Sequence, residues 1–256
     1  MKVPLPVVAL TVSISVLHAG TIFQEKFEYG PGIPERAQIE EGATLKDSGI
    51  TAAGNAWQAP SLGGAVVFAP GKGLTITGRG GNVSILINVD PKLFSQGSPV
   101  RAELDLVPGD LWHGKPGIPG VWFGFADADS AGNKVLATMD EAADHLVLRY
   151  AITPDPVNCF SAVETGVRGE FQVTSQPQKK IPFQPASTYR MTLVFNPADR
   201  SYEATLLDTK SGEEQTRKGT LSLPPVFNVL RLDFTSIVPG SAETEPLIKS
   251  ISLTKE

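Results

Sequence analysis

Arg101, Glu103 and Asp105 stand at every second position of V-R-A-E-L-D-L, between Val100, Ala102, Leu104 and Leu106. Strict alternation of this kind makes a β-strand with a guanidinium and two carboxylates on one face and four apolar side chains on the other. Carboxylates accept and guanidinium donates paired hydrogen bonds, so such a row can hold the hydroxyls of a sugar. The same row also reads as a solvated sheet face whose charges neutralise one another. Further along, the loop Gly109-Asp110-Leu111-Trp112-His113-Gly114 carries an indole and an imidazole at adjacent positions. It leads to a second patterned strand, in which Val121, Phe123 and Phe125 make an apolar face and Trp122 and Gly124 point the other way. A Trp that faces solvent stacks on the apolar side of a sugar ring while polar neighbours take its hydroxyls, which makes Trp112 and Trp122 a candidate saccharide platform. Trp is also a core residue of many sandwiches, and Trp122, facing away from its apolar neighbours, fits the platform better than Trp112. Arg149, opposite Leu148 and Tyr150 in His145–Tyr150, adds a further guanidinium to the candidate binding set.

Catalysis asks for more than this row supplies. A retaining β-glucanase needs two carboxylates about 5 Å apart, which a strand delivers from residues two or four apart on one face. Glu103 and Asp105 begin an E-x-D-x-E array, but Val107 occupies the position of its last carboxylate. Arg101-Ala102-Glu103-Leu104 resembles the R-x-E-L strand of alginate lyases, whose chemistry also needs a Tyr/His pair to move a proton. The Q-x-H strand and the later Tyr-rich, Lys-containing motif of those enzymes are absent from the sequence. A polysaccharide lyase or glycoside hydrolase is therefore the alternative to a non-catalytic binding domain. Asp127-Ala128-Asp129-Ser130-Ala131-Gly132-Asn133 resembles the start of a calcium loop, but Ala131 removes one oxygen ligand and Thr138 stands where a bidentate Glu is required. A hairpin loop is the preferred reading, with Ca2+ as the other.

The elements that must position these groups are strands. Thr21–Glu28, Ala65–Ala69, Leu74–Thr77, Val83–Val89, Val100–Leu106, Val121–Asp127, Lys134–Met139 and His145–Ile152 all carry strand patterning. So do Gly169–Thr174, Tyr189–Phe195, Ser201–Asp208, Glu214–Leu221, Val226–Thr235 and Leu247–Thr254. Gly78-Arg79-Gly80-Gly81 is read as a turn between two of them, since it leads into a strand where a phosphate cradle would open a helix. Asn196-Pro197-Ala198-Asp199 and Lys210-Ser211-Gly212 have hairpin chemistry. Thr138 and Glu141 can cap one helical turn, and no longer helix is apparent. Strands at roughly 8–12 residue intervals predict an all-β, two-sheet antiparallel sandwich.

Composition agrees. The 256 residues are 41% hydrophobic and 19% charged, with 25 Gly and 21 Pro scattered through the chain, enough for a core and many turns. The net charge of −5 disfavours nucleic acid as a partner. MKVPLPVVALTVSISVLHA has a basic start, a short apolar run and a small residue at position 19, the pattern of a secretory signal peptide over 1–19, with an uncleaved anchor as the competing reading. Nothing after it is apolar enough to span a membrane. A lone Cys159 excludes an intramolecular disulfide, and export without disulfides fits a bacterial envelope, periplasmic or extracellular setting.

F-Q-E-K-F-E-Y-G near the N-terminus, V-W-F-G-F-A-D, the Y-R-M-T-L-V-F-N-P-A-D-R-S-Y-E-A-T-L-L-D hairpin and the closing I-K-S-I-S-L-T resemble the concanavalin A-like lectin and laminin-G-like jelly rolls of secreted bacterial proteins. The resemblance implies one domain over 20–256, two sheets face to face, first and last strands adjacent, and a curved inner sheet that carries any ligand. Such folds host lectins, glycosidases, lyases and adhesion modules. The expectation is a secreted, non-catalytic domain that binds a polysaccharide or glycan through Arg101, Glu103, Asp105, Trp112, His113, Trp122 and Arg149; a structural or adhesion module of the cell envelope is a further alternative.

Overall fold

Apolar and polar residues alternate so regularly along most strands that each must bury one face and turn the other outward. A computed structural model describes residues 20–26, 38–39, 57–58, 61–69, 73–95, 97–109, 120–127, 145–151, 159–165, 171–173, 184, 186–222, 224–237 and 246–256. Among these the strands are β1 (Gly20–Glu25), β2 (Gln38–Ile39), β3 (Trp57–Gln58), β4 (Ser61–Ala69), β5 (Gly73–Asn88), β6 (Val100–Val107), β7 (Gly120–Ala126) and β8 (His145–Ala151). They continue with β9 (Cys159–Thr165), β10 (Phe171–Val173), β11 (Tyr189–Asn196), β12 (Ser201–Asp208), β13 (Glu214–Thr220), β14 (Val229–Ile237) and β15 (Leu247–Lys255). The only helical element among the described residues is a 3-10 turn over Pro91–Phe94. The leader, the expected strand Lys134–Met139 and the expected helical turn after it lie outside the described residues.

All pairings are antiparallel; the main path runs β10-β9-β8-β7-β14-β5-β15-β6-β11-β12-β13, with β1 paired to β15, β2 to β4, and β3 and β4 to β5. They form two sheets of a sandwich. The front sheet is β10-β9-β8-β7-β14 with the C-terminal half of β5; the back sheet is β15-β6-β11-β12-β13 with the N-terminal half of β5. First and last strands are adjacent, Thr21 facing Thr254 and Gln24 facing Ser252. The glycine run expected to be a turn is instead part of β5, which continues from Gly73 to Asn88. β5 pairs with β15 through Leu74 and Thr75 and with β14 from Val83 onward, so Gly78–Gly81 is where one strand crosses between sheets. Three glycines in four residues suit that crossing, because bends and irregular pairing cost glycine least, and the register against β4 slips there as well.

Val100, Ala102, Leu104 and Leu106 of β6 and Val121, Phe123 and Phe125 of β7 are wholly buried, so both patterned strands place their apolar faces as alternation predicts. A ring cluster joins the sheets. Phe125 of β7 meets Phe94 edge-on at 4.8 Å, Phe227 stands 5.2 Å from Phe94, and Phe195 of β11 stands 5.7 Å from Phe227. The 3-10 turn delivers Phe94 to this cluster: Asp90 accepts the Lys92 N–H at 2.9 Å and Pro91 begins the turn. Gly73, at φ 135°, lies where any Cβ would collide with the Ile248 carbonyl oxygen, which lets β5 come close to β15.

Phe227 is 1% exposed and touches rings from both sheets, so Phe227→Ala is expected to cost about 3–5 kcal/mol in denaturant unfolding, as large aromatic truncations in well-packed cores do. A loss below about 1 kcal/mol would mean that the cluster does not tie the sheets together.

Candidate functional site

Arg101, Glu103 and Asp105 share the outward face of β6, on the back sheet. Their neighbours across the sheet are fixed by register: Arg190 opposite Asp105 and Thr192 opposite Glu103 in β11, Ser250 opposite Asp105 and Ser252 opposite Glu103 in β15. Arg190 donates to both oxygens of Asp105, at 2.8 and 2.9 Å, in a fork-to-fork pair, and the Ser250 hydroxyl donates to the same carboxylate at 3.2 Å. The hydrogen bond to Asp105 raises the Arg190 pKa above its ordinary value against the opposing pull of partial burial, with the charges of Asp105 and Glu103 adding to the rise. Arg101 donates to Glu256 at 2.6 Å and stands 3.6 Å from Glu103. The row is thus a partly exposed lattice of ion pairs in which each charge faces an opposite one.

Trp122 does point away from Val121, Phe123 and Phe125, but on the front sheet. Its register neighbours are Asp233 of β14 and Arg149 of β8, so two of the residues expected to bind ligand stand side by side. Continuing outward, Ser161 of β9 lies opposite Arg149, and Ser84 of β5 lies opposite Asp233. One row along, Val147, Gly124, Arg231 and Leu86 run across the same strands. Arg231 and Asp233, two apart on one strand face, are ion-paired with Nε donating to Oδ2 at 2.8 Å, and neither side chain is exposed at all. Trp122 is 4% exposed, so its ring lies within this packed layer and is no open stacking surface.

The charges on the two sheets point in opposite directions. β6 and β7 both turn their apolar faces to the shared interior, so Arg101, Glu103 and Asp105 leave the sandwich on one side and Trp122 on the other. Trp112 and His113 lie outside the described residues. Of the expected hairpin loop beginning at Asp127, only that residue is described; it accepts from the Asn228 side chain at 2.9 Å. Among the described residues no group of three His, Cys, Asp or Glu side chains could hold a metal ion.

Arg231 and Asp233 are the functional candidates that sequence reasoning passed over. V-L-R-L-D-F carries the same alternation as V-R-A-E-L-D, and nothing in either string tells which charged face will be covered. The opposite-charge i, i+2 spacing of Arg231 and Asp233 recurs in Arg101 and Glu103, so it signals a pairing along the strand and not its burial.

The fold is that of known lectins. The chain is similar to the Emp46p carbohydrate recognition domain in its potassium-bound form, with TM-score 0.54 and 11% identity over 86% of this chain and 94% of that one. Lectin II from Ulex europaeus superposes with TM-score 0.51 at 10% identity, covering 80% of this chain and 94% of that one. Lectin UEA-II complexed with galactose gives TM-score 0.52 and 11% identity over 88% and 100% of the two chains. No protein-family model matches the sequence, and no curated protein matches it. The architecture is therefore the concanavalin A-like jelly roll of the legume-type lectins.

Breaking the buried pair should be costly and repairing it cheap. Arg231→Met takes the paired guanidinium away from the buried Asp233 and is expected to lower stability by about 3–5 kcal/mol, whereas adding Asp233→Leu recovers most of that loss. Chemical denaturation of both variants checks this; equal losses in the single and double variants would show that the two side chains are not coupled.

Proposed function

We propose that this chain is an exported, non-catalytic carbohydrate-binding domain spanning residues 20–256, with its glycan site on the front-sheet side of the sandwich, above the covered layer. The observation that carries the reading is the row Arg149, Trp122, Asp233 beside the fully buried Arg231–Asp233 pair. A sandwich gains its stability from the face turned inward, and a covered ion pair on the other face is more often neutral or costly than stabilising. Its presence there, in the middle of one sheet, supports a face kept for recognition. In this reading Arg231, Asp233 and Trp122 form the base of the site, and Arg149, opposite Trp122 on β8, is the residue to test against the sugar. Saccharide is the first ligand class to test because the solved lectins of this fold include one complexed with galactose and another described as a carbohydrate recognition domain. The back-sheet row supports binding less well, since Asp105 is occupied by Arg190 and Ser250. The same engagement, together with Val107 at the missing carboxylate position, supports a non-catalytic role over a lyase or hydrolase.

Because Arg149 and Glu103 belong to different sheets, they separate the two faces. After a glycan array has supplied a ligand, calorimetry is expected to show Arg149→Ala weakening it by about tenfold or more, the loss of a charged hydrogen-bond donor, with Glu103→Ala nearly unchanged and EDTA without effect. The reverse pattern would move the site to the back sheet. An array with no glycan bound would overturn the function itself, and unsaturated or reducing-end products from alginate, glucuronan or β-glucan would make the chain an enzyme. Export predicts a mature chain beginning at Gly20 by intact mass; a chain that keeps Met1 contradicts it.

A further inference from the structure

At the corner of the back sheet where β11 turns into β12, the surface opens into a hollow of about 600 Å3. That size falls within the range of small-molecule sites. One side is apolar, formed by Pro99 and Val194. Beneath the hollow, Tyr202 belongs to the core and packs over Gly219 on β13, where a Cβ would collide with its phenol hydroxyl.

The polar side is arranged by the turn. Asn196 accepts the Ala198 N–H through Oδ1 at 3.1 Å, which leaves its amide nitrogen as the donor end. The Ser201 hydroxyl donates to Asp199 at 2.6 Å, and Asp199 also accepts the Ser201 N–H at 2.9 Å, so Ser201 Oγ keeps its lone pairs for a further partner. The same two bonds hold the Asp199 carboxyl below its ordinary pKa, the hydroxyl contributing most. Arg200, at φ 61°, closes the turn by donating to the Ser222 carbonyl at 2.8 Å. Glu203 and Lys218, ion-paired across β12 and β13, add a strong acceptor and a strong donor.

These groups select a ligand by charge. One carboxylate and one ammonium, already facing each other, leave no surplus for a phosphate or a sulfate, which would need unpaired cations. A bare cation would need several oxygens free of a counter-charge. Fixed donors and acceptors beside an apolar patch fit a neutral ring with hydroxyls on its rim and C–H bonds on its face. We propose that this hollow is a second binding site, for a single neutral saccharide unit, on the sheet opposite the one that carries the main site. Its ligand class follows from its own lining and does not rest on the front-sheet reading. With sites on opposite outward faces, one domain bridges two glycan chains.

The test is a 15N-correlation titration of the purified chain with methyl β-galactoside, methyl β-glucoside and methyl α-mannoside in turn. At least one is expected to shift the amides of Val194, Asn196, Glu203 and Gly219 saturably. Asn196→Ala and Lys218→Met should each weaken that response by about tenfold while the thermal transition stays in place, the loss expected for one hydrogen bond to a charged or fixed polar group. Arg149→Ala should leave these four amides responding as before, so a failed front site and a failed hollow give different spectra. No saturable shift with any of the three glycosides would overturn the proposal, as would tighter binding of glucuronate than of the neutral sugars.

Discussion

Two sheets sharing one apolar interior impose a single constraint on every strand: one face in, one face out. The ring cluster of Phe94, Phe125, Phe195 and Phe227 shows the constraint at work, because it draws one residue from each sheet and two from the connecting segments into mutual contact. Once those faces are committed to the interior, the polar residues between them have no freedom. β6 must send Arg101, Glu103 and Asp105 to one side of the molecule, and β7 must send Trp122 to the other. The chemistry of the chain is divided by its packing.

This explains what was legible from sequence. Alternation in V-R-A-E-L-D-L and V-W-F-G-F-A identified both strands and both of their faces correctly, since the period of two is a local property. Strand order was not local. Nothing in Arg101 or Trp122 records that β6 pairs with β11 and β15 while β7 pairs with β8 and β14, and so a set of residues that looked convergent belongs to two surfaces. Gly78–Gly81 misled for a related reason. Glycine signals a break in regular pairing, and a strand that changes sheets breaks its pairing as surely as one that reverses. Covering was equally invisible: L-R-L-D-F becomes a buried ion pair and R-A-E-L-D a partly exposed one, although the two strings alternate alike.

The difference in covering changes what each row can do. On the back sheet the ion pairs lie at an accessible surface, where screening by water makes them worth little to stability and leaves them able to exchange partners. On the front sheet the pair is dry and its geometry is fixed by the strand. A recognition face gains from such a base because ligand contacts held in place need not be ordered at the moment of binding. The hollow at the β11–β12 turn achieves the same end differently, with a turn that fixes the donor and acceptor ends of Asn196 and Ser201.

Hydrogen–deuterium exchange of the full chain, with and without a glycan selected on an array, tests the division of the molecule most directly. Slowed exchange in β7, β8 and β14 on binding is the predicted result, with or without a second protected patch at the β11–β12 turn. Protection confined to β6 and β15, with the front strands unchanged, would contradict it.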